Sequence, residues 1–119
     1  MSKLPIFKTV EGHHHSVPFY LCRENCGDIG FEIAGGKIDH LLDREVAETH
    51  AHDVDEFYLL ISPNDGAAEI EVHIDGVVTR HASPDVIHVP AGKPHKFVTR
   101  KVEPGSFCFG ILVGEDQGR

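Results

Sequence analysis

The stretch Glu48-Thr49-His50-Ala51-His52-Asp53-Val54-Asp55-Glu56-Phe57-Tyr58 carries the densest chemistry in this chain of 119 residues. On an extended backbone, alternate side chains share a face. His50 and His52 therefore point the same way with Cα atoms about 7 Å apart, close enough for two imidazoles to converge on one ion. A turn or bulge over Asp53 to Asp55 is needed for Glu56 to rejoin that face. Glu56 then supplies an anionic oxygen, with Tyr58 and Leu60 following on the same side. A second segment, Asp85-Val86-Ile87-His88-Val89-Pro90-Ala91-Gly92-Lys93-Pro94-His95, runs from a strand through Pro-x-Gly-x2-His. Pro90 and Gly92 force a sharp turn, and His95 opens the next strand, facing inward with Phe97 and Thr99. Each pattern alone arises in roughly one shuffled chain in fifteen to twenty, and both in this order in well under roughly one in a hundred. Coincidence is the poorer account.

Outward from these segments, short runs of Val, Ile and Phe alternate with turn residues, the signature of an all-β sandwich or barrel. Ile29, Phe31 and Ile33 alternate with Gly30, Glu32 and Ala34, and Gly35-Gly36 offers a tight turn into a returning strand over Lys37 to Leu42. Ile70, Val72 and Ile74 alternate with charged residues, and Asp75-Gly76 turns this strand into Val77 to Ala82. Further strands are expected at Phe57 to Ser62, Val86 to Val89, His95 to Val102 and Phe107 to Val113. Roughly eight strands in so short a chain point to a closed barrel or a two-sheet jelly roll, which disposes of exposed strand edges.

The composition sets bounds on function. At 13.1 kDa, with 40% hydrophobic and 25% charged residues, the chain is sized for one domain with one core. Its 11 Lys and Arg against 19 Asp and Glu leave a net charge of -8, and the basic residues form no stripe, which argues against a nucleic-acid partner. No apolar run is long enough for a membrane span or a secretory signal, so a cytoplasmic protein without a membrane partner is expected. Ten histidines stand beside three cysteines and no tryptophan. Cys22, Cys26 and Cys108 make a poor disulfide framework and lack the second close pair of a four-cysteine zinc site, so reduced thiols are expected.

The two histidine segments resemble the two motifs of the cupin superfamily, one contributing His-x-His and a Glu, the other Pro-x-Gly and a His. The resemblance covers about Arg44 to Thr99. It implies a small double-stranded β-helix (jelly-roll) barrel holding one divalent metal ion through His50, His52, Glu56 and His95. Arg44, Pro63 and Pro84 stand where the family pattern has glycines, and Thr99 where it often has Asn. These departures bear on turn geometry and loop length, because the ligand positions are intact.

Three neutral imidazoles and one carboxylate leave two positions open on an octahedral ion such as Fe(II), Mn(II), Co(II) or Ni(II), with Zn(II) a further candidate. The site then carries about one positive charge and favours a small oxygenated substrate that chelates through two oxygens. Dioxygenation is the leading expectation. Non-redox isomerisation, elimination or cyclisation is the alternative, and non-catalytic small-molecule binding a third, because a shared fold spans all of them.

Tyr58, Phe97, Phe107 and Phe109 are expected to wall the substrate pocket, with Tyr58 the candidate catalytic residue because its hydroxyl can reach a bound molecule. His40 and His88 lie in strands near the motifs and are candidates for partners of the ligands or proton carriers. His73 and His81 are expected to be exposed, and the run His13-His14-His15 reads as a solvated loop that binds metal adventitiously. Residues 1–28 form an N-terminal arm or extra strand ahead of a barrel over 29–119. Phe19 to Cys22 is a candidate strand for pairing with a neighbouring subunit, and a homodimer is expected.

Overall fold

The computed structural model describes residues 4–10 and 17–114. The triple-histidine run and the last five residues lie outside the described residues. Nine strands are present among those described: β1 (Lys8–Val10), β2 (Val17–Leu21), β3 (Phe31–Lys37), β4 (Asp55–Ile61), β5 (Glu69–Ile74), β6 (Val77–Ala82), β7 (Asp85–Val89), β8 (His95–Lys101) and β9 (Phe107–Val113). One helical turn, α1 (Arg23–Cys26), separates β2 from β3. A six-stranded antiparallel sheet runs in the order β1-β2-β3-β9-β4-β7, and a three-stranded sheet in the order β6-β5-β8. No helix among the described residues is long and apolar enough to cross a membrane.

The core forms between the two sheets. Tyr58 and Leu60 of β4, Ile87 and Val89 of β7 and Cys108 of β9 meet Ile70 and Val72 of β5, with Ile38 and Leu41 from the β3–β4 connection. The period-two alternation of β5 sends Ile70 and Val72 into this core and leaves Glu71 and His73 outside, paired with each other at 2.9 Å. Asp75 and Gly76 both adopt positive φ, at 51° and 81°, as a two-residue hairpin turn requires. The hairpin read from Asp75-Gly76 is therefore present.

The hairpin read from Gly35-Gly36 is not. β3 passes straight through both glycines, which pair with Phe109 and Cys108 of β9. They are required for close approach: a Cβ on Gly35, whose φ is 95°, would lie 2.8 Å from the Cys108 carbonyl oxygen, and one on Gly36 would strike the Tyr20 hydroxyl. Lys37 to Leu42 is consequently no returning strand. Ile38 N donates to Ser106 O, Asp39 accepts from the Gly105 and Ser106 amides, and the chain turns at Leu41 and Arg44. It then runs beside β8 through isolated bridges of Leu42 with Thr99, Glu45 with Val98 and His50 with His95.

Of the candidate strand Phe19 to Cys22, Phe19 to Leu21 belong to β2 and Cys22 is the N-cap of α1; β2 pairs within its own chain, with β1 on one side and β3 on the other. The outer face of the large sheet is unusually apolar. Phe31 and Ile33 of β3, Phe107, Phe109 and Ile111 of β9, Phe57 and Leu59 of β4 and Val86 of β7 occupy the positions that alternate away from the core.

Candidate metal centre

The bend over Asp53 and Val54 ends at the start of β4, and it returns Glu56 to the face that His50 and His52 share. Asp55 takes the opposite face, where its carboxylate accepts from the Ala91 amide at 2.8 Å and contacts His88 Nε2 at 3.1 Å. The Ala91 bond and then the His88 bond hold the Asp55 carboxyl below its ordinary pKa. Gly92 N donates to His52 O at 2.8 Å. The Pro-x-Gly turn is thus tied to the first histidine motif at two points before the chain enters β8 at His95.

Four side chains converge where these ties meet. The ligand atoms of His50, His52, Glu56 and His95 all lie within 4.8 Å of one another. The imidazole centroids are 4.6 Å apart for His50 and His95, 4.9 Å for His50 and His52 and 5.3 Å for His52 and His95. Glu56 Oε1 lies 2.9 Å from His95 Nε2 and 3.6 Å from His52 Nε2.

Two of the rings are oriented in the same way. His50 Nδ1 lies 2.7 Å from Glu48 O, and His95 Nδ1 lies 2.8 Å from Lys93 O, in each case the carbonyl two residues earlier. A carbonyl only accepts, so Nδ1 carries a proton in both rings and Nε2 is turned inward; in His95 that Nε2 donates to Glu56 Oε1, a proton that must leave before an ion is bound there. Gly110 completes the cradle: a Cβ there would sit 2.5 Å from Glu56 Oε2, so the glycine leaves the carboxylate its place against β9. Three converging imidazoles, two of them fixed with Nε2 inward, and one carboxylate fit a divalent transition-metal ion.

Burial lowers the pKa of His50, against the smaller upward effect of the Glu48 carbonyl. Burial also acts downward on His95, but its bonds to Glu56 and to the Lys93 carbonyl outweigh that effect, and its pKa is raised. Tyr58 is buried at 4% exposure, edge-on to Phe97 at 5.0 Å, with His95 at 6.2 Å. Burial first, then the Glu56 charge, pushes its phenol well above the ordinary value, so the hydroxyl stays protonated and available as a donor.

The cluster opens onto a cavity of about 1090 Å³. Tyr58 and Phe97 line it. Phe107 and Phe109 do not: Cys108, Gly110 and Leu112 are the β9 residues that face inward, and the alternation sends the two phenylalanines to the outer face, stacked on each other with centroids 5.7 Å apart. His88 also points outward, stacked on Phe57 and paired with Asp55, and makes no contact with the cluster. His40 is exposed and lines the cavity. His73 and His81 are half-buried and engaged with Glu71 and Asp85. Cys22, Cys26 and Cys108 are free thiols, and burial raises the Cys108 pKa so far that this thiol is inert. One polar group that the sequence reading missed is Glu32, a buried carboxylate on the cavity wall. The alternation of Glu32 with Phe31 and Ile33 made it look like the solvent side of a strand.

No family model and no curated protein matches the chain. Solved structures do. An RmlC-like cupin from Shewanella frigidimarina is 14% identical, with a TM-score of 0.62 over 91% of this chain and 84% of its own. Streptomyces Pac13 with uridine is 9% identical, with a TM-score of 0.65 over 94% and 79%, and Pac13 is described as a nucleoside dehydratase. A predicted oxalate decarboxylase from Thermotoga maritima is 17% identical, with a TM-score of 0.60 over 89% and 90%. Identities this low speak for the fold alone: the chain folds as a cupin β-barrel.

Proposed function

We propose that this chain is a metal-dependent enzyme acting on a small oxygenated molecule, with His50, His52, Glu56 and His95 as the ligands of one divalent ion and dioxygenation as the reaction. The observation that carries this reading is the convergence of the four ligand atoms within 4.8 Å at the wall of a large cavity. A divalent ion bound there supplies Lewis acidity toward a chelating substrate and, as Fe(II), an electron source for O2. The chain's own residues supply the rest. Glu48 and Lys93 carbonyls fix the tautomers of His50 and His95, and Tyr58 and Phe97 wall the pocket. The buried Tyr58 hydroxyl offers a proton donor beside the ligands.

That hydroxyl also favours a second reading, a non-redox isomerase, lyase or cyclase in which Tyr58 moves a proton to or from the substrate. Turnover of α-hydroxy ketones, β-diketones and sugar acids by protein loaded with Fe(II), Mn(II), Ni(II) or Zn(II), with and without air, separates the two. Turnover with Fe(II) and oxygen uptake supports dioxygenation. Turnover without air on several metals supports the second reading. Ligands recovered unchanged under every condition would overturn both.

The apolar outer face of the large sheet is read as a self-association surface. Its partly exposed side chains, including Val86 at 58% exposure, offer on the order of 500 Å² of apolar surface by side-chain size. With its polar rim this approaches the roughly 800 Å² per partner of a stable interface. A second copy presents the same flat face in the same amount, so the assembly is an isologous dimer with sheets packed face to face.

A further inference from the structure

Leu112 of β9 pairs with Glu32 of β3 on one side and with Glu56 of β4 on the other. The two glutamates therefore stand level, two strands apart, with Cα atoms about 10 Å from each other by strand spacing. Leu112 is buried, and Glu32 and Glu56 are buried at 4% and 9% exposure, so all three side chains occupy the inner face. Both carboxylates line the same cavity. Ala34 and Gly110, which pair with each other, also line it, and their small size leaves the wall open beside the two acids.

Glu56 belongs to the histidine cluster and Glu32 does not. Cys22 and Glu24 do approach Glu32, with ligand atoms within 4.8 Å. Glu24, however, is exposed and engaged by Lys8, and the Cys22 thiol contacts Asn25 Oδ1 at 3.5 Å. That trio is poorly suited to hold an ion. A carboxylate on the wall of a ligand cavity is instead suited to accept hydrogen bonds from the ligand, and most strongly from a cationic donor, because burial strengthens a charge-assisted bond.

We infer that Glu32 is the second polar anchor of the substrate site: it receives an ammonium or hydroxyl group at the end of the substrate remote from its metal-chelating oxygens. This rests on the proposed metal site. The substrate class narrows to elongated molecules with two chelating oxygens at one end and a hydrogen-bond donor, above all an amine, at the other. Glu32 sets specificity and touches no reacting atom.

The test uses the full chain without a tag, loaded with Ni(II), and three catechols that differ only in the 4-substituent: 2-aminoethyl, 2-hydroxyethyl and ethyl. Catechol oxygens take the chelating role, and the substituent reports on Glu32. Wild type is expected to bind the aminoethyl probe about tenfold or more tighter than the ethyl probe, with the hydroxyethyl probe between them. Glu32→Gln should erase most of the aminoethyl preference and leave ethylcatechol affinity unchanged. Should Glu32→Gln fail to fold, Glu32→Asp keeps the charge one methylene further away and should reduce the preference. Equal affinity for all three probes in wild type, or a preference untouched by either substitution, overturns the inference while the metal site stands. Failure of wild type to retain Ni(II) overturns both together.

Discussion

The backbones of His50 and His95 hydrogen-bond each other in both directions, His50 N to His95 O at 3.0 Å and His95 N to His50 O at 2.7 Å. This is the close hydrogen-bonded pair of an antiparallel ladder, formed once, between an otherwise irregular segment and the first residue of β8. It fixes the spacing of two imidazoles that the sequence separates by 45 positions, and each ring is turned inward by the carbonyl two residues before it. Placement of the cluster is thus a backbone property, and it should survive loss of one of its side chains. His52→Ala is expected to keep its far-UV circular dichroism and to lose tight metal binding. Loss of the β-sheet signal would show that the imidazole contacts hold this part of the barrel together.

Metal affinity should depend on pH because the ligands must be neutral to bind. Before an ion enters, the raised pKa of His95 keeps a proton on its ring above the unperturbed value of about 6.5. Metal entry competes with that proton, so affinity falls as pH drops. Calorimetry in buffers of different ionisation enthalpy counts the proton, and a flat affinity profile between about pH 5 and 8 contradicts the three-histidine assignment.

The same shifts govern the stability of the metal-free chain. His95, raised, contributes stability that is full below about pH 6.5 and is lost as pH rises through its folded value. His50, lowered, acts in the opposite sense: its contribution is full above about pH 6.5 and is lost as pH falls through its folded value. Urea unfolding of His50→Ala and His95→Ala across this range is expected to give slopes that depart from wild type in opposite directions.

Gly110→Ala places a methyl 2.5 Å from Glu56 Oε2. The carboxylate must move, and metal affinity should fall about 10- to 100-fold, as for the loss of a partner that orients a ligand. An unchanged dissociation constant with the fold retained would remove Glu56 from the ligand set.

Tyr58→Phe removes a buried, protonated hydroxyl and little volume. If that hydroxyl transfers a proton in turnover, kcat falls about 10²-fold or more while metal content is unchanged. Equal kcat would leave Tyr58 as a packing residue against Phe97.

Self-association through the outer sheet face predicts a dimer by sedimentation, and a monomer once Leu59→Lys and Val86→Lys are combined. A wild-type monomer at every concentration, or a dimer indifferent to both lysines, places any interface elsewhere.

Much of the barrel was legible because its signals are local. The alternation of β5, the Asp75-Gly76 turn and the Pro90-Ala91-Gly92 turn each need only their neighbours. The convergence of His50, His52, Glu56 and His95 was legible because residue type and spacing restrict it. What escaped depends on distant chain. Gly35-Gly36 looks like a turn until β9 and Tyr20 are seen to need the missing side chains. β9 itself reads Phe-Cys-Phe-Gly-Ile-Leu-Val, apolar on both faces, so its period carries no sign and the wrong phenylalanines were assigned to the pocket. Glu32 was hidden by the converse: in Phe31-Glu32-Ile33 the hydrophobic side of the strand is the outer one, and the charged side chain enters the cavity.

The central claim is that one ion is held by His50, His52, Glu56 and His95, and elemental analysis of untagged protein tests it most directly. Wild type should carry one divalent transition-metal ion per chain, and the His50→Ala, His52→Ala double variant, folded by circular dichroism, should carry none. One ion per chain retained by that double variant would place the metal elsewhere, with His13-His14-His15 the first segment to examine, and would contradict the site described.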